Sequence, residues 1–533
     1  MIKPLTYLRR NGALFAAYAL LSLLLVGLSL WIPQFLDAAL RRITEGRVEN
    51  PAALIGSFLL LIAGEGAAAW LVHYLNVYLS NKIAFQAEFD ALSHIKRAQY
   101  QYTRQHNDAY MAQRINNDSV CLSDFWVEKL PYFASDVLLV MLILPLSFLI
   151  NPWIGAVMLC GVLLYFAVYL CSRRVYRRRN EAMIESQAQF FAMLSNQIYN
   201  LLTIKIHVLY KATDAQFVKT VGDFFLKSVR FLKVDYSIAT ATALLTRLAY
   251  GLGILIIGLG LASGAFAIGN IAVSLLYVQI LLKSAQNITQ FGKAVQAYQV
   301  ARDRLRELFA YPLDELGSGL IEQIDAIETQ GLGFAFGERM LLEGRNHRFV
   351  KGKIYALRGE NGSGKSTFVH LLLGIYPPTA GTVRINGADL ADLNLDDLRS
   401  RLIAYADQVP CLYDGSLYDN LLFGLDEAQR PLREAALAHP LLAFLQHLPQ
   451  GADTPVAGRK ATLSGGERQK ISLCRALLKP CQVRIFDEPT NALDPQSIDC
   501  LLDQLQRERA DYITILISHD ARVFAAADEV IDF

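Results

Sequence analysis

The sequence predicts a helical domain that crosses a membrane six times, followed by an α/β domain with a phosphate-binding loop. Three observations support this fold class. Long apolar segments, most of them free of charge, lie within the first 300 or so residues. A glycine-rich loop near residue 360 lies between a strand-like and a helix-like segment. From about residue 325, short β-branched runs alternate with helical segments. We therefore expect a membrane domain over residues 1–310, a linker over 311–324 and an α/β domain over 325–533.

The composition excludes several classes of protein. Of the 533 residues, 53% are hydrophobic and 19% are charged, whereas a typical soluble domain is about 25% charged. High hydrophobicity also excludes intrinsic disorder. The formal net charge of +2 gives no overall field that would attract nucleic acid, so we expect no nucleic acid as a partner. The high hydrophobicity instead indicates the lipid bilayer as a partner. The seven cysteines show no metal-ligand spacing and are expected to be free thiols.

Six spans account for the apolar segments. A spanning helix needs about 20 mostly apolar residues. Residues 11–36 make one span, and residues 51–80 make a second, interrupted only by Glu65 and His73. Residues 131–172 contain a single charge and are long enough for two spans that turn at Asn151-Pro152. Residues 248–282 contain no charge and divide near Ser263-Gly264 into the last two.

Basic residues indicate the orientation, because they favour the cytoplasm near span ends. Residues 82–130 carry six of them and residues 173–235 carry eleven, whereas the turns after the third and fifth spans carry none. Both termini are therefore predicted inside, although the loop after the first span, with Arg41, Arg42 and Arg47, is an exception. For the arginines of 173–179 an orientation anchor is favoured over a lipid-binding patch. The two polar stretches have helical patterning and would reach tens of ångströms into the cytoplasm as helix pairs.

The strongest motif is the phosphate loop, residues 359–367. It matches GxxxxGK[ST] and follows a strand-like run at 353–358, which is the context that the motif requires. Backbone N–H groups of such a loop surround phosphate oxygens, and the following helix adds its partial positive charge. Lys365 supplies charge to the β and γ phosphates, and the Ser366 hydroxyl binds Mg²⁺. The predicted phosphate contacts are Gly359, Asn361, Gly362, Ser363, Gly364, Lys365, Ser366 and Thr367.

Two further strand ends carry candidate catalytic residues. The run 483–486 ends in Asp487 and Glu488, of which Asp487 is suited to hold Mg²⁺ and Glu488 to polarise or deprotonate the attacking water. A third strand-like run, 512–517, leads to His519. Ligands of open α/β sheets bind at the carboxyl ends of the strands, so a γ-phosphate contact for His519 is favoured over a surface histidine. Glu488, His519 and Lys365 are the predicted catalytic residues.

Between these strands, the run 463–469 (Leu-Ser-Gly-Gly-Glu-Arg-Gln) opens a helix. With the other motifs it is similar to the nucleotide-binding domain of ATP-binding cassette transporters, whose signature it resembles. The resemblance implies ATP and Mg²⁺ as cofactors. Gln408 resembles the glutamine of the family's Q-loop, which implies that it contacts the nucleotide and is a metal ligand. Asp494 resembles the aspartate of the family's D-loop, which implies a nucleotide contact. Phe336 stands at the family's adenine-stacking position, with a core role as the alternative. The implied signature contacts are Ser464, Gly465, Gly466 and Glu467.

The resemblance spans nearly the whole chain. It implies the exporter half-transporter arrangement, a six-span transmembrane domain of exporter type fused to an α/β P-loop ATPase domain, in the bacterial plasma membrane with the ATPase domain in the cytoplasm. In this family ATP is held between the phosphate loop of one domain and the signature of another, so we expect a homodimer. ATP hydrolysis would then move a substrate outward by alternating access. One departure is that residues 454–458 lack the glutamate that exporters often carry before the signature.

Charged and polar residues inside the spans are candidates for the substrate path. Glu65, Arg247 and Lys283 each lie about 22 Å from the outer end of their span, and an ion pair of Glu65 with Lys283 or Arg247 is the alternative. On the sixth span one helix face carries Gln279, Lys283, Gln286 and Gln290.

These side chains, and a resemblance to bacterial peptide and bacteriocin exporters, favour a peptide substrate. A lipid or drug flippase, an exporter-fold importer of a siderophore-like compound and a gated channel are the alternatives. We expect no leader cleavage in cis, because no peptidase domain fits before the first span.

Overall fold

A computed structural model describes all residues except 1–3, 48–49, 104–107, 263–267, 338, 426, 428–429, 432 and 457–462. The chain forms two compact units. The first contains Met1–Lys96 and Asn107–Ala310, and the second contains Arg97–His106 and Tyr311–Phe533. A short piece of the first cytoplasmic arm is therefore grouped with the C-terminal unit, which the sequence did not predict.

The described part of the first unit consists of helices. They are α1 (Pro4–Arg10), α2 (Gly12–Thr44), α3 (Pro51–Lys96), α5 (Asp108–Asp124), α6 (Leu130–Ile150), α7 (Pro152–Tyr199), α8 (Leu201–Ile206), α9 (Tyr210–Ala262) and α10 (Ile268–Phe309), with α4 (Tyr100–Thr103) in the second unit. A π-helix, Phe125–Lys129, joins α5 to α6.

Five helical stretches of the described chain are long and apolar enough to cross a membrane. They are Gly12–Thr44, Pro51–Lys96, Met111–Ile150, Pro152–Tyr199 and Tyr210–Gly260. These stretches contain the first five predicted spans. The turn predicted near Ser263-Gly264 lies outside the described residues, and α10 follows it as the sixth long helix.

The turn predicted at Asn151-Pro152 is confirmed. Helix α6 ends at Ile150, and the Asn151 side chain accepts hydrogen bonds from the N–H groups of Trp153 at 2.8 Å and Ile154 at 3.3 Å. Asparagine is a favoured N-cap, and proline fits the first helical position because its missing N–H costs nothing there. The predicted cytoplasmic arms require helices longer than a membrane span. Such helices are present, since α7 runs for 48 residues and α9 for 53.

The larger described hydrophobic cluster of the first unit lies among α6, α7, α9 and α10, and another lies among α1, α2 and α3. The largest buried side chains of the larger cluster include Tyr165 and Tyr277. A buried arginine ties the first arm to α10, because Arg114 of α5 donates to the carbonyl of Arg304 at 2.8 Å and pairs with Glu307. Most of its charge is thereby compensated inside the helix bundle.

The described part of the second unit contains a five-stranded parallel sheet, a four-stranded antiparallel sheet and an antiparallel pair of two short strands, in agreement with the predicted α/β class. Its strands are β1 (Ala326–Phe336), β2 (Arg339–Val350), β3 (Ile354–Arg358), β4 (Ala380–Ile385), β5 (Ala388–Asp389), β6 (Ile403–Ala406), β7 (Gly415–Ser416), β8 (Pro455–Val456), β9 (Val483–Asp487), β10 (Ile513–Ile517) and β11 (Glu529–Asp532). Its helices after α4 are α11 (Lys365–Leu372), α12 (Leu395–Arg401), α13 (Leu417–Leu421), α14 (Arg433–Leu437), α15 (Gly465–Leu478), α16 (Pro495–Glu508) and α17 (Ala521–Ala526).

The strand order of the parallel sheet positions the site. The order is β11-β3-β10-β9-β6, and every pairing in it is parallel. The inner strands β9 and β10 are buried along their whole length, as expected for a parallel sheet covered on both faces. The carboxyl ends of β3, β10, β9 and β6 therefore lie side by side at one edge, where the loops that carry the motifs begin.

Candidate nucleotide site

The phosphate loop has the backbone geometry that its glycines allow. Gly362 and Gly364 have φ values of +85° and +97°, a left-handed region that favours glycine. At Gly359 a Cβ would lie 2.7 Å from the main-chain oxygen of Phe533, so no side chain fits there. The N-cap of α11 is Gly364, which directs the first N–H groups of that helix towards the loop.

Lys365 lies across the loop instead of pointing into solvent. It is 6% exposed, and its Nζ donates to the carbonyls of Gly359 at 2.7 Å and Glu360 at 2.9 Å. The next residues of α11, Ser366 and Thr367, are half-buried. The ammonium is thus held at the mouth of the loop, where its charge faces any anion that the N–H groups bind.

Two buried carboxylates lie at the end of β9. Asp487 and Glu488 are 3% and 5% exposed, and burial raises the pKa of both carboxyls. Asp487 is hydrogen-bonded to Ser366. Its Oδ1 and the Oε2 of Glu488 are buried without a hydrogen-bond partner among the described residues.

A hydroxyl and an unpartnered carboxylate oxygen are the hard oxygen ligands that Mg²⁺ prefers. Ser366 and Asp487 therefore fit a magnesium ion. The second orphaned oxygen, on Glu488, fits a hydrogen bond from water.

His519 connects the phosphate loop to the acidic pair. Its Nε2 lies 3.1 Å from the Oδ1 of Asn361 and 3.3 Å from the Oε1 of Glu488. This follows from the sheet, because β10, which leads to His519, lies between the strands that lead to the other two residues. The predicted residues of the phosphate loop, the metal pair and the two catalytic side chains are therefore together in one site.

The signature run forms the start of α15. Ser464 is its N-cap in a reciprocal capping box: the Glu467 side chain accepts from the Ser464 N–H at 2.7 Å, and the Ser464 hydroxyl accepts from the Glu467 N–H at 3.2 Å. At Gly466 a Cβ would lie 2.5 Å from the carbonyl oxygen of Ala492. The D-loop therefore packs directly against the start of this helix.

Two side chains missed by the sequence reasoning link α15 to the site. Gln469 is buried and donates to the carbonyl of Glu488 at 3.2 Å. Lys470 pairs with Asp494 at 2.7 Å and holds the pKa of that carboxyl well below its usual range. The only sequence signal for Gln469 and Lys470 was their position about one turn after the signature. Helical spacing places both residues on the side of α15 that faces the protein.

No described hydrogen bond or ring contact joins the other predicted residues to the phosphate loop within one chain. Gln408 is exposed two residues after β6, and Ser464 and Gly465 are exposed at the tip of α15. The described hydrogen bonds of α15 include none to the phosphate loop. Phe336 ends β1 with its ring 38% exposed and in edge contact with buried Tyr376, 5.5 Å between ring centroids. No described contact therefore joins the phosphate loop to the signature within one chain.

The predicted substrate-path residues lie on three helices of the first unit. Glu65 is half-buried on α3 and Arg247 is exposed on α9. All four polar residues of the α10 face are exposed, namely Gln279, Lys283, Gln286 and Gln290, whereas Val278, Leu281 and Leu282 beside them are buried. The ion pairs found in the described part of the chain include none of Glu65 with Lys283 or Arg247. The four polar residues of α10 are thus all exposed, but the pairing finds no support.

Comparison with family models gives two matches. Residues 342–491 match the model described as ABC transporter. Residues 13–284, more than half of the chain, match the ABC transporter transmembrane region.

Curated relatives are similar over much of the chain. An ATP-dependent lipid A-core flippase of Chromobacterium violaceum is 27% identical over 501 residues, which cover 90% of this chain and 82% of the relative. One from Francisella tularensis subsp. holarctica is 28% identical over 343 residues, which cover 63% of this chain and 56% of the relative. The match thus spans only about half the length of the Francisella protein.

One solved structure has the same fold. A bacterial Atm1-family ABC exporter with ATP bound superimposes with a TM-score of 0.82 at 20% identity, over 99% of this chain and 93% of that one.

Proposed function

The chain belongs to the ABC transporter family, and from this premise we propose that it hydrolyses ATP with Mg²⁺ and uses the energy to move a substrate out of the cytoplasm. One observation supports this best. His519 lies within 3.3 Å of both Glu488 and Asn361, so a buried base and the phosphate loop are held against each other. Such positioning is what phosphoryl transfer to water requires.

Each side chain then has a defined task. Lys365 neutralises the β and γ phosphates, and Glu488 orients the attacking water and accepts its proton. His519 holds the γ-phosphate against that water. Ser366 and Asp487 would hold Mg²⁺ together with Gln408, and the ion would supply positive charge that stabilises the phosphoryl groups during hydrolysis. Phe336 offers an exposed ring on which adenine can stack.

Two copies are needed to complete the site. The exposed start of α15 presents N–H groups and a partial positive charge, yet within one chain no described hydrogen bond of this helix reaches the phosphate loop. A second copy related by a two-fold axis places its signature against the loop of the first, and reciprocally. ATP held at both seams favours the closed pair of ATPase domains, and hydrolysis releases it. ATP therefore binds the closed state of the pair more tightly than the open state, and this difference in affinity can drive alternating access.

As substrate we propose an amphipathic lipid of the inner leaflet. Two observations support a lipid: the curated relatives reported above include lipid A-core flippases, and on α10 an exposed polar face lies beside buried apolar residues. A peptide is the second candidate, favoured by the amide and ammonium groups of the same face, Gln279, Lys283 and Gln286.

Transport by purified protein in sealed liposomes tests the proposal. We expect ATP added outside to move labelled phosphatidylglycerol between leaflets. Glu488→Gln should lower both ATP turnover and lipid movement by about a hundred-fold while ATP binding persists. Glu529→Gln makes the same change at an exposed strand position and should leave both unchanged. Full turnover in Glu488→Gln would refute the assignment of the base, and ATP-driven movement of an amphipathic peptide without lipid movement would select the second candidate.

A further inference from the structure

A cavity of about 270 Å³ lies in the first unit among α7, α9 and α10. It includes two residues of the α10 polar face, Gln286 and Gln290, together with side chains of the other two helices. Known small-molecule sites have volumes of about 300–1,000 Å³. The cavity therefore has room for a polar headgroup but not for a whole lipid.

Helix geometry gives the depth of the cavity in the membrane. Helix α7 starts at its outer end with Pro152. Tyr165, at one end of the cavity, is then about 20 Å below that point, and Arg177, at the other end, about 38 Å below it. Since the hydrocarbon core is about 30 Å thick, the cavity extends from the hydrocarbon of the inner leaflet to the level of its headgroups.

The cytoplasmic end of the cavity, at the level of the headgroups, has an excess of positive charge. Arg173, Arg177 and Lys293 line it, against one carboxylate, Asp235. The ammonium of Lys293 lies 3.7 Å from Asp235 and 4.0 Å from the centre of the Tyr176 ring.

The two arginines of the cavity differ in their partners. Arg177 is paired with Glu181 at 2.7 Å. Arg173 takes part in none of the ion pairs found among the described residues, so its planar fork of donors is available to a bidentate acceptor such as phosphate.

The opposite end of the cavity is less polar. It is lined by Val168, Ile238 and Ala239, with the aromatic ring of Tyr165 beside them. A ligand that fits both ends carries an anionic group on an apolar stem.

We propose that this cavity, the α7–α9–α10 pocket, binds the phosphate-bearing headgroup of an anionic lipid of the inner leaflet. Arg173 and Lys293 contact the phosphate, and the amides of Gln286 and Gln290 contact the rest of the headgroup. The proposal rests on the proposed function, because it names where that transporter first engages its substrate.

Lipid binding to the full chain, measured by native mass spectrometry without nucleotide, tests the pocket. We expect phosphatidylglycerol to bind more tightly than phosphatidylcholine. Replacing Arg173→Gln together with Lys293→Gln should weaken phosphatidylglycerol binding about ten-fold or more, since both charged donors to the phosphate are lost. The matched control is Arg174→Gln with Arg178→Gln, which removes two neighbouring charges of α7 that do not line the cavity and should change binding less than about two-fold.

A second variant covers the case in which the charge variant fails to fold. At Gly292 a Cβ would lie 2.6 Å from the hydroxyl of Tyr169, which lines the cavity. Gly292→Ala should therefore displace that ring and weaken phosphatidylglycerol binding with no change in charge.

Three results would overturn the proposal: equal loss in the charge variant and its matched control, no loss in the charge variant or in Gly292→Ala, or inorganic phosphate binding as tightly as the lipid. Because lipid binding is measured without ATP, failure of the pocket proposal can be distinguished from failure of ATP-driven transport in liposomes.

Discussion

At residue scale, Glu488 combines two costly features. Its φ of +49° is in the left-handed region, which is uncommon for residues other than glycine, and its carboxyl is buried with one unpartnered oxygen. Strain and burial of this kind are retained at sites where a side chain must be held in place. The turn after β9 thus holds the Glu488 side chain, the proposed base, away from solvent.

The raised pKa of Glu488 predicts a pH dependence. Burial disfavours the charged carboxylate, so the pKa lies above the ordinary 4.5. A base must be deprotonated, and turnover is therefore lost as the pH falls through this raised value. We expect the acid limb of the kcat profile to have its midpoint above 4.5, while ATP binding at the same pH is retained. A midpoint at or below 4.5 would contradict the role of a buried base.

Where a residue belongs to a recognisable motif, its role could be predicted from the sequence. The contacts of the same residues could not be predicted. Lys365 and Glu488 were recognisable from the phosphate loop and from the acidic pair after a strand. The contact of His519 with Asn361 depends on β10 lying between β3 and β9, and strand order is not written in the local sequence. Gln469 has no motif at all, since an amide on a helix is usually at the surface.

At element scale, the start of α15 is fixed by its fit against the D-loop. A methyl group at Gly466 would meet a backbone oxygen at 2.5 Å, whereas at Gly465 it would meet nothing within 4 Å. We expect Gly466→Ala to lower the free energy of unfolding by about 1–3 kcal/mol and Gly465→Ala to leave it nearly unchanged. Thermal unfolding of both proteins gives the comparison. Equal stabilities would show that the D-loop does not pack on this helix.

The elements of the first unit could be predicted more fully than their packing. Charge-free lengths and the Asn151-Pro152 turn were enough to place α6 and α7, because bilayer thickness fixes helix length. Hydropathy gives no helix neighbours, so the α7–α9–α10 pocket could not be predicted. Nor could the grouping of Arg97–His106 with the C-terminal unit, which depends on tertiary contacts such as that of Tyr100 with Tyr376.

At the scale of the whole molecule, the proposed function makes the phosphate loop and the signature the two halves of one site. Within the described chain they are not joined, and each is complete in its own geometry. Such separation has a consequence for activity: a single chain can bind nucleotide but lacks the second surface that closes on it. Turnover should therefore belong to the pair and not to the subunit.

ATP turnover measured on size-separated protein of known mass tests this most directly. We predict that turnover is confined to the species of twice the 59.4 kDa chain mass and disappears as dilution in detergent yields single chains. A single chain that hydrolyses ATP as fast as the pair would contradict the shared site.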